Sequence, residues 1–409
     1  MAKISPFKAL RPAAELASKV ASRPYDVLNS KEAKTEAQGN AFSFLHITKS
    51  EIDLPDLADI HSEEVYDKAR QNLQAFIQRN VLFKESKPCY YMYELVMNGR
   101  TQTGLVCTSS LDDYENNIIK KHEFTRPEKE LDRINHIKTT GAQTGNVFLA
   151  YRNVEAIDAL LAQWKNDRNP VYDFVADDGI QHSIWVINDS ETISQITSLF
   201  EEEVPNTYIA DGHHRAASAA KVRASLGNNA TTEANFFLTT LFPASQLQIM
   251  DYNRIVKDLN GLSKKDFLKA VAEKFDVEEK ENEVKPSSIH TFGLYLQKKW
   301  YLLTAKEGTY TNDPIGILDV SILQNNILDP ILGIKDQRTD TRIDFVGGIR
   351  GLGELVSKVD SGDAVVAISL YPVSIQQLFD IADSGNVMPP KSSWFEPNLR
   401  DGLLTHLIS

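Results

Sequence analysis

Five residues with complementary chemistry stand next to one another in the stretch YIADGHHRAASAAKV, at positions 208–222. They are an acid, a glycine, two histidines and an arginine: Asp211, Gly212, His213, His214 and Arg215. The apolar residues before them are typical of a strand end, glycine permits a sharp turn, and the alanine-rich residues after them favour a helix. The sequence therefore predicts that these five residues lie where a strand turns into a helix N-terminus.

A turn of this kind can bind an anion. The first backbone N–H groups of a helix have no partner within the helix, and the positive end of the helix dipole lies there. His213, His214 and Arg215 add side-chain donors, and the planar fork of an arginine suits phosphate. Asp211 would repel phosphate unless it holds a cation, orients a histidine or takes a proton.

Two other interpretations compete with an anion site. In the first, Asp211 is only a helix N-cap and the two histidines are ordinary surface residues. In the second, His213 and His214 bind zinc. Five such residues at one turn count against the first interpretation. The second is disfavoured because adjacent histidines diverge on a helix and no cysteine or histidine lies at ligand spacing nearby.

The stretch KKHEFTRPEKELDR is a second concentration of charge. Within it, Glu123 is a candidate base, and Arg126 or Arg133 is a candidate clamp for phosphate. Lys129 and Arg133 are four residues apart and would share one face of a helix. The alternative is a solvated helix face with salt bridges, which charged runs usually form.

Asp26 lies in the stretch SRPYDV, directly after a proline turn. Mg²⁺ prefers carboxylates together with substrate phosphates, so Asp26 is a candidate magnesium ligand. The alternative is an aspartate that caps the turn.

The stretch PPKSSWFEP places Lys391 and Ser392 directly after a double proline. A rigid loop with an ammonium and hydroxyl groups can hold a phosphate or a carboxylate. The alternative is a C-terminal tail that docks through Trp394 and Phe395.

Apolar periodicity predicts the elements that must position these residues. Residues 1–60 are broken by prolines, and FKALRP, SRPYDVLN and NAFSFLHIT are interpreted as short strands. The hairpin CYYMYELVM–TGLVCTSS turns at Asn98-Gly99, a dipeptide suited to a two-residue turn. The helices are expected at about 63–82, in 111–140 with a new start at Pro127, in VEAIDALLAQWK and SETISQITSLFE, after DGHHR, near 263–275 and 318–328, and in IQQLFDIADSG.

The pattern indicates an α/β (α+β) protein with mixed sheets. A chain of 409 residues is too long for one ordinary core. We expect an N-terminal α/β domain at 1–110, a central domain with the DGHHR motif at 111–240 and a C-terminal α/β domain at 241–409.

Composition excludes several classes of protein. The net charge of −12 argues against broad nucleic-acid binding, which needs a basic face. Two cysteines suit a reducing cytosol better than a disulfide scaffold. The N-terminus has no apolar signal segment, and no apolar stretch approaches the ~20 residues that span a bilayer. We therefore expect a cytoplasmic protein that does not enter a membrane.

The chain resembles the DUF1015 family of bacterial and archaeal proteins nearly end to end. The resemblance lies in SRPYDV, SFLHI, KKHEFTRPEKELDR, YIADGHHR, PILGI and MPPKSSWFEPNLRDGL. The sequence departs from the family pattern at three places: Ser393 replaces a threonine, Asn398 replaces a lysine, and the pattern has a histidine near Asn253-Arg254. These departures imply that the substrate could differ from that of other members.

The DGHHR motif itself resembles the phosphate-binding motif of the ParB/sulfiredoxin superfamily, especially its free-serine kinases. This resemblance implies a ParB/sulfiredoxin-like central domain that binds ATP or ADP with Mg²⁺. It predicts a phosphotransferase or nucleotide phosphohydrolase that acts on a small hydroxyl metabolite such as serine. Glu123 or Asp26 would supply the base, and Asp211, His213, His214 and Arg215 would act on the phosphoryl group.

Two alternatives remain beside the kinase hypothesis. One is a nucleotide-sensing, ParB-like regulator without turnover, and the other is a phosphatase of small metabolites. In each case the partners are small molecules, with a homodimer as one assembly state.

Overall fold

A computed structural model describes residues 1–55 and 59–409, and it confirms the predicted mixed α/β architecture. The described residues divide into two compact units. The first unit comprises Met1–Leu247 together with Pro397–Ser409, and the second comprises Gln248–Glu396. The three-domain division at 1–110, 111–240 and 241–409 stays a prediction.

The strands alternate with helices along most of the chain. In chain order the described strands are Ile4–Ser5 (β1), Leu10–Pro12 (β2), Leu82–Lys84 (β3), Tyr90–Met97 (β4), Arg100–Ser110 (β5), Ile119–Lys120 (β6), Ala142–Gln143 (β7), Val147–Tyr151 (β8), Tyr172–Val175 (β9), Gln181–Ile187 (β10), Thr207–Asp211 (β11), Phe236–Pro243 (β12), Ile249–Met250 (β13), Tyr252–Val256 (β14), Phe275–Lys280 (β15), Thr291–Leu296 (β16), Lys299–Ala305 (β17), Ile343–Gly347 (β18), Val366–Leu370 (β19), Trp394–Phe395 (β20) and His406–Leu407 (β21).

The helices confirm most of the predicted positions. The α-helices are Ala17–Val20 (α1), Ser30–Ala37 (α2), Leu45–Thr48 (α3), Glu63–Gln78 (α4), Leu111–Glu115 (α5), Pro127–Thr140 (α6), Glu155–Asp167 (α7), Ser190–Glu203 (α8), His213–Leu226 (α9), Lys264–Lys274 (α10), Asp319–Leu323 (α11), Gly351–Asp360 (α12) and Ile375–Asp383 (α13). Shorter 3₁₀ turns are Ala14–Leu16, Tyr25–Val27, Ser50–Asp53, Gly227–Asn229, Glu233–Asn235, Ala244–Gln246 and Gly348–Arg350, and a π-helical turn spans Gln324–Leu328. Among the described residues, no helix combines the length and the apolar character needed to cross a membrane.

A nine-stranded mixed sheet organises the first unit. Its strands lie in the order β6, β11, β8, β12, β5, β4, β10, β9, and β1 pairs with β5. Strand β12 runs parallel to β8 and antiparallel to β5, while β11 runs antiparallel to β8 and parallel to β6. Apolar residues of α7, α8 and α9 pack with this sheet in one core cluster. The sheet therefore holds the end of β11, where the DGHHR motif begins.

A six-stranded antiparallel sheet organises the second unit, in the order β15, β17, β16, β19, β14, β18. Its core cluster includes apolar residues of α12, among them Leu355. Separately, β13 pairs with β20, which brings Met250 opposite Trp394.

The predicted β4–β5 hairpin is confirmed. Asn98 and Gly99 have φ values of 53° and 77°, and Met97 pairs with Arg100 on either side of them. A two-residue turn needs positive φ at both positions, and asparagine and glycine tolerate it best.

Two predicted strands near the N-terminus are wrong. The stretch SRPYDVLN forms the 3₁₀ turn Tyr25–Val27, which starts after Pro24 at φ −56°. The stretch NAFSFLHIT contains α3, and its buried residues Phe44, Ile47 and Thr48 have helical spacing. In both cases the segment is short, and an apolar segment of this length is compatible with a helix as well as with a strand.

Candidate functional site

The DGHHR motif forms the predicted strand-to-helix turn. Strand β11 ends at Asp211 and α9 begins at His213. Between them, Gly212 has φ 97°, a value that side chains rarely tolerate. A Cβ atom on Gly212 would lie 3.2 Å from Cζ of Arg215 and 3.3 Å from Cα of Val147. Glycine is therefore required here both by the backbone and by the close approach of Arg215.

Arg215 turns back from α9 and joins two carboxylates. Its Nη2 lies 2.5 Å from Oδ2 of Asp211 and 3.3 Å from Oδ2 of Asp26, and its Nη1 donates to the carbonyl of Asn146. Burial lowers the pKa of Arg215, but the charges of Asp26 and Asp211 outweigh it, and the pKa is raised. Arg215 therefore stays charged and fixes both carboxylates.

Asp401 adds a third acid to this group from the C-terminal segment. It is buried, and the backbone N–H of Tyr25 donates to its carboxyl group. Its Oδ2 has no hydrogen-bond partner among the described residues. Burial, and to a lesser degree the charge of Asp26, raises the pKa of Asp401 to about 8 although Arg215 opposes the shift. Asp401 is therefore mostly protonated at neutral pH.

Arg133 on α6 fixes the segment that carries Asp26. Its Cζ lies 3.9 Å from the ring centroid of Tyr25, and its Nη2 lies 2.7 Å from Oδ2 of Asp132. The other oxygen of Asp132 accepts hydrogen bonds of 2.9 Å from the hydroxyl of Tyr66 and from Nδ1 of His61. Burial opposes ionisation of Asp132, but Arg133 and these donors lower its pKa.

A cavity of about 540 Å³ lies beside these groups. Its wall contains acidic side chains together with lysine, arginine and histidine side chains: Asp26, Lys49, Glu51, His61, Glu128, Lys129, Asp132, Arg133, His136 and His214. The first turns of two helices contribute to it, since Glu128 and Lys129 begin α6 and His214 begins α9.

The backbone N–H of Arg126 donates to Nε2 of His214 at 3.0 Å, which ties the two helix starts together. Burial and the charge of Lys129 lower the pKa of His214, so the ring is neutral at pH 7. Because Nε2 accepts a hydrogen bond, the proton of the neutral ring is assigned to Nδ1. His214 thus has one N–H donor besides the backbone groups of α9.

His213 takes a different direction from His214. Its ring is buried against that of His122, with 4.6 Å between centroids, and its Nε2 accepts the backbone N–H of His122 at 3.4 Å. Its Nδ1 lies 3.7 Å from Oε2 of Glu123. Burial, followed by the neighbouring imidazoles of His122 and His214, keeps the pKa of His213 well below its usual value. His213 is therefore neutral and lies close to Glu123, at a distance too long for a hydrogen bond between Nδ1 and Oε2.

The structure brings most of the predicted residues into three linked contacts. These are Asp26 with Asp211 and Arg215, Arg126 with His214, and Glu123 with His213. Among the described residues that line the 540 Å³ cavity are Asp26, Arg133 and His214, whereas Glu123 and His213 are not. Lys391 and Ser392 belong to the second unit.

Several residues of the site were missed by sequence reasoning. They are Tyr25, His61, Tyr66, Asp132 and Asp401. A signal existed for three of them, because Tyr25 lies in SRPYDV, Asp132 in KKHEFTRPEKELDR and Asp401 in MPPKSSWFEPNLRDGL, all of which carry the family resemblance. Nothing in the local sequence distinguished His61 and Tyr66.

The acidic residues fit a magnesium ion only in part. Asp26 and Asp211 offer carboxylate oxygens that share one arginine nitrogen. Among the described residues, no group of three or more histidine, cysteine, aspartate or glutamate side chains is arranged to hold a metal ion. Mg²⁺ commonly keeps water ligands and takes its others from one or two carboxylates and substrate phosphates. The site therefore fits an ion that arrives with a phosphorylated ligand.

Comparison with known proteins gives one family match and several distant structural similarities. No curated protein matches the chain in sequence. A conserved hypothetical protein from Pyrococcus furiosus is 13% identical, with 73% of this chain and 93% of that chain covered and a TM-score of 0.35. A free serine kinase in complex with AMP is 11% identical, with 73% and 91% covered and a TM-score of 0.37. SbnI with a C-terminal truncation, from Staphylococcus aureus, is 8% identical, with 72% and 85% covered and a TM-score of 0.38.

Structural similarity at these TM-scores carries no inference about activity. The family match is different, because the model of the protein family of unknown function DUF1015 matches residues 4–321, more than half of the chain. This confirms the resemblance found in the sequence motifs. The chain therefore belongs to the DUF1015 family.

Proposed function

We propose that this protein is a Mg²⁺-dependent phosphotransferase or nucleotide phosphohydrolase that acts on a small hydroxyl metabolite. One observation carries the proposal: two helix N-termini meet at a cavity of about 540 Å³ that holds both cations and carboxylates. Small-molecule sites have volumes of roughly 300–1,000 Å³. Helix N-termini attract phosphate through free N–H groups and the helix dipole.

The cationic side of the cavity would bind the phosphates of ATP or ADP. Lys129 and the Nδ1–H of His214 extend from the two helix starts, and Arg133 adds a guanidinium held by Asp132. Leu28 and Val65 add apolar surface to the same wall, on which a nucleobase can rest. These groups position the nucleotide and offset the charge of the phosphoryl group in transfer.

The acidic side would handle the metal and the acceptor. Asp26 lines the cavity and would hold Mg²⁺ together with phosphate oxygens, and the ion would neutralise charge on those phosphates. Asp211 is not among the described residues that line the cavity and is joined to Asp26 through Arg215. His61 is 56% exposed at the side chain and donates Nδ1–H to Asp132, so its Nε2 is directed away from that carboxylate. An imidazole oriented in this way suits a general base.

In the proposed step, Nε2 of His61 takes the proton of the acceptor hydroxyl. At the same time, the oxygen of that hydroxyl bonds to the terminal phosphorus of the nucleotide. The bond from that phosphorus to the bridging oxygen breaks, and the shortened nucleotide leaves with the electron pair. Glu123, the base proposed from sequence, lies beside His213 and outside the residues that line the cavity, so the geometry favours His61. Serine is one candidate acceptor, and the cytoplasm is the proposed location.

The test is to incubate the purified full chain with Mg²⁺ and ATP, ADP or CTP, with and without L-serine and other small hydroxyl compounds. Phosphorus NMR follows the products. The informative variant is Lys129→Ala, in the first turn of α6, and its matched control is Lys138→Ala, in the last turn of the same helix. Both lysines are exposed.

Acceptor-dependent transfer that Lys129→Ala slows by about tenfold or more, and Lys138→Ala leaves unchanged, supports the proposal. His61→Gln would then lower kcat with little change in nucleotide affinity. Saturable nucleotide binding without any product would instead indicate a nucleotide-sensing regulator. Release of phosphate from small phosphorylated metabolites, with no nucleotide required, would indicate a phosphatase.

A further inference from the structure

The second unit buries an arginine without an acidic partner. Arg254 on β14 has 0% of its surface exposed and is the largest side chain buried to that degree. No carboxylate among the described residues forms an ion pair with it. Burial lowers its pKa to about 10. An isolated buried charge is costly, and proteins usually pair it or bring it against a ligand.

Three neutral oxygens hold the guanidinium. Nε donates to Oε1 of Gln337 at 3.3 Å, Nη1 donates to the carbonyl of Tyr252, and Nη2 donates to the carbonyl of Lys391 at 2.9 Å. A guanidinium has five N–H donors, so two remain without a partner among the described residues. The ring of Phe345 lies 5.1 Å from Cζ, a distance that allows a cation–π contact. None of these neighbours neutralises the charge.

A second cation contacts the same aromatic ring as the first. Nζ of Lys391 is 5.6 Å from the centroid of the Tyr252 ring, and Cζ of Arg254 is 6.0 Å from the same centroid. No ion pair joins Lys391 to an acid in the part of the chain that the structure describes. The two cations contact one ring, and no acid among the described residues forms an ion pair with either, so this arrangement has unused affinity for an anion.

The backbone of Lys391 is also unusual. Its φ is 58°, in the left-handed region that lysine rarely adopts. Its carbonyl accepts from Arg254, and the hydroxyl of Ser392 donates to the carbonyl of Pro389 at 2.6 Å, which closes the turn. Strained backbone of this kind is often found at ligand sites. The buried arginine therefore holds the strained turn through a neutral carbonyl, which is a weaker acceptor than an oxyanion.

We propose that Arg254 and Lys391 form an oxyanion-binding site in the second unit, for the phosphate or carboxylate group of a small ligand. The oxyanion replaces the Lys391 carbonyl at Nη2 of Arg254 and takes the ammonium of Lys391 as its second partner. Ser392 is buried and shapes the turn. The proposal is independent of the activity proposed for the first unit.

The test measures binding of inorganic phosphate, and separately of acetate, to the full chain by titration calorimetry at constant ionic strength. Lys391→Gly removes the ammonium and also relieves the positive φ, and thermal unfolding checks that the variant is folded. The matched control is Lys298→Gly, in the turn between β16 and β17, where an exposed lysine has φ 61° in the same unit. We expect Lys391→Gly to weaken the binding of phosphate or of acetate by about tenfold or more. Lys298→Gly should leave the binding of both anions unchanged.

Phosphate can also bind in the first unit, so Lys129→Ala is titrated in parallel. Loss of a binding component in Lys391→Gly but not in Lys129→Ala assigns that component to the second unit. A second readout is the ¹⁵N signal of the Arg254 Nε–H, assigned with Arg254→Lys, which should shift as the anion saturates. The proposal is overturned if neither anion binds saturably, if Lys391→Gly binds both as wild type does, or if the Arg254 signal stays fixed. Preference for phosphate or for acetate identifies the class of ligand.

Discussion

Arg215 in the first unit is half-buried and Arg254 in the second is fully buried, and their charges are balanced in different ways. Arg215 lies between Asp26 and Asp211, and these carboxylates stabilise its positive charge. Arg254 donates only to neutral oxygens and has its pKa lowered by burial. Removing one partner of a buried pair leaves an uncompensated charge, whereas removing an unpaired charge leaves neutral acceptors.

This contrast bears on function. The guanidinium of Arg215 is already occupied by acids, so it positions Asp26 and Asp211 rather than reaching freely for phosphate. The sequence motif predicted a phosphate-binding role for Arg215, which stays a prediction that requires those ion pairs to open. Arg254, which the sequence analysis did not nominate, has the uncompensated charge.

The largest expected effect comes from replacing each arginine by methionine. Arg215→Met removes charged hydrogen bonds to Asp26 and Asp211, whose side chains are 34% and 53% exposed, and should cost about 2–4 kcal/mol of unfolding free energy because water screens part of the loss. Arg254→Met loses hydrogen bonds to neutral groups but also removes a desolvated charge, and should cost about 1–3 kcal/mol. Urea unfolding at pH 7 measures both. If Arg254→Met loses as much unfolding free energy as Arg215→Met or more, the two arginines do not differ in how their charges are balanced.

The next effect concerns the space around Arg215. Gly212→Ala places a side chain at φ 97° and within 3.2 Å of Cζ of Arg215, and should cost about 2 kcal/mol or more. The control is Gly261→Ala in the second unit, where φ is 79° and no atom lies within 4 Å of the added Cβ. Backbone strain alone should cost about 1–2 kcal/mol there. If urea unfolding gives the same loss of unfolding free energy for both variants, the close approach of Arg215 adds no cost to a side chain at position 212.

A third prediction compares two buried acids, one in each unit. Burial raises the pKa of Asp401 to about 8 and that of Asp319 to about 7. An unfolded aspartate loses its proton near pH 4, so between pH 4 and the folded pKa the folded state binds more protons. Stability therefore falls as pH rises through this window, by up to about 1.4 kcal/mol per pH unit for each group.

Asp401→Asn should reduce the loss of unfolding free energy between pH 6 and pH 7 by about 1.4 kcal/mol. Asp319→Asn should reduce this loss mainly below pH 7, because the folded pKa of Asp319 is about 7. Unfolding free energies at pH 5, 6, 7 and 8 decide the question. A wild-type protein whose stability rises across this range, with no change in slope in either variant, would show that both carboxyl groups are ionised.

The smallest effect is expected for the two lysines with positive φ in the second unit. Lys391→Gly and Lys298→Gly each relieve backbone strain, but glycine also increases the freedom of the unfolded chain. We expect net changes within about 1 kcal/mol for both. Thermal unfolding checks this, and a large loss for Lys391→Gly alone would mean that its side chain supports the fold.

The sequence alone determined the local features of the site. Gly212 between an apolar strand end and an alanine-rich helix predicts the turn at DGHHR, and Pro127 predicts the start of α6. Asn98-Gly99 predicts the hairpin. These predictions succeeded because backbone preferences of glycine, proline and alanine act within a few residues and need no distant partner.

Only the tertiary structure decided which distant residues meet. Asp401 reaches the Arg215 group because the backbone of Asp401 pairs with that of Ser22, a contact no local pattern encodes. Likewise, Arg254 is ordinary in sequence and becomes distinctive only when β14 takes an interior position in its sheet and no acid among the described residues forms an ion pair with it. Burial and long-range pairing set the energy of a charge, and both depend on the whole fold rather than on neighbours in the chain.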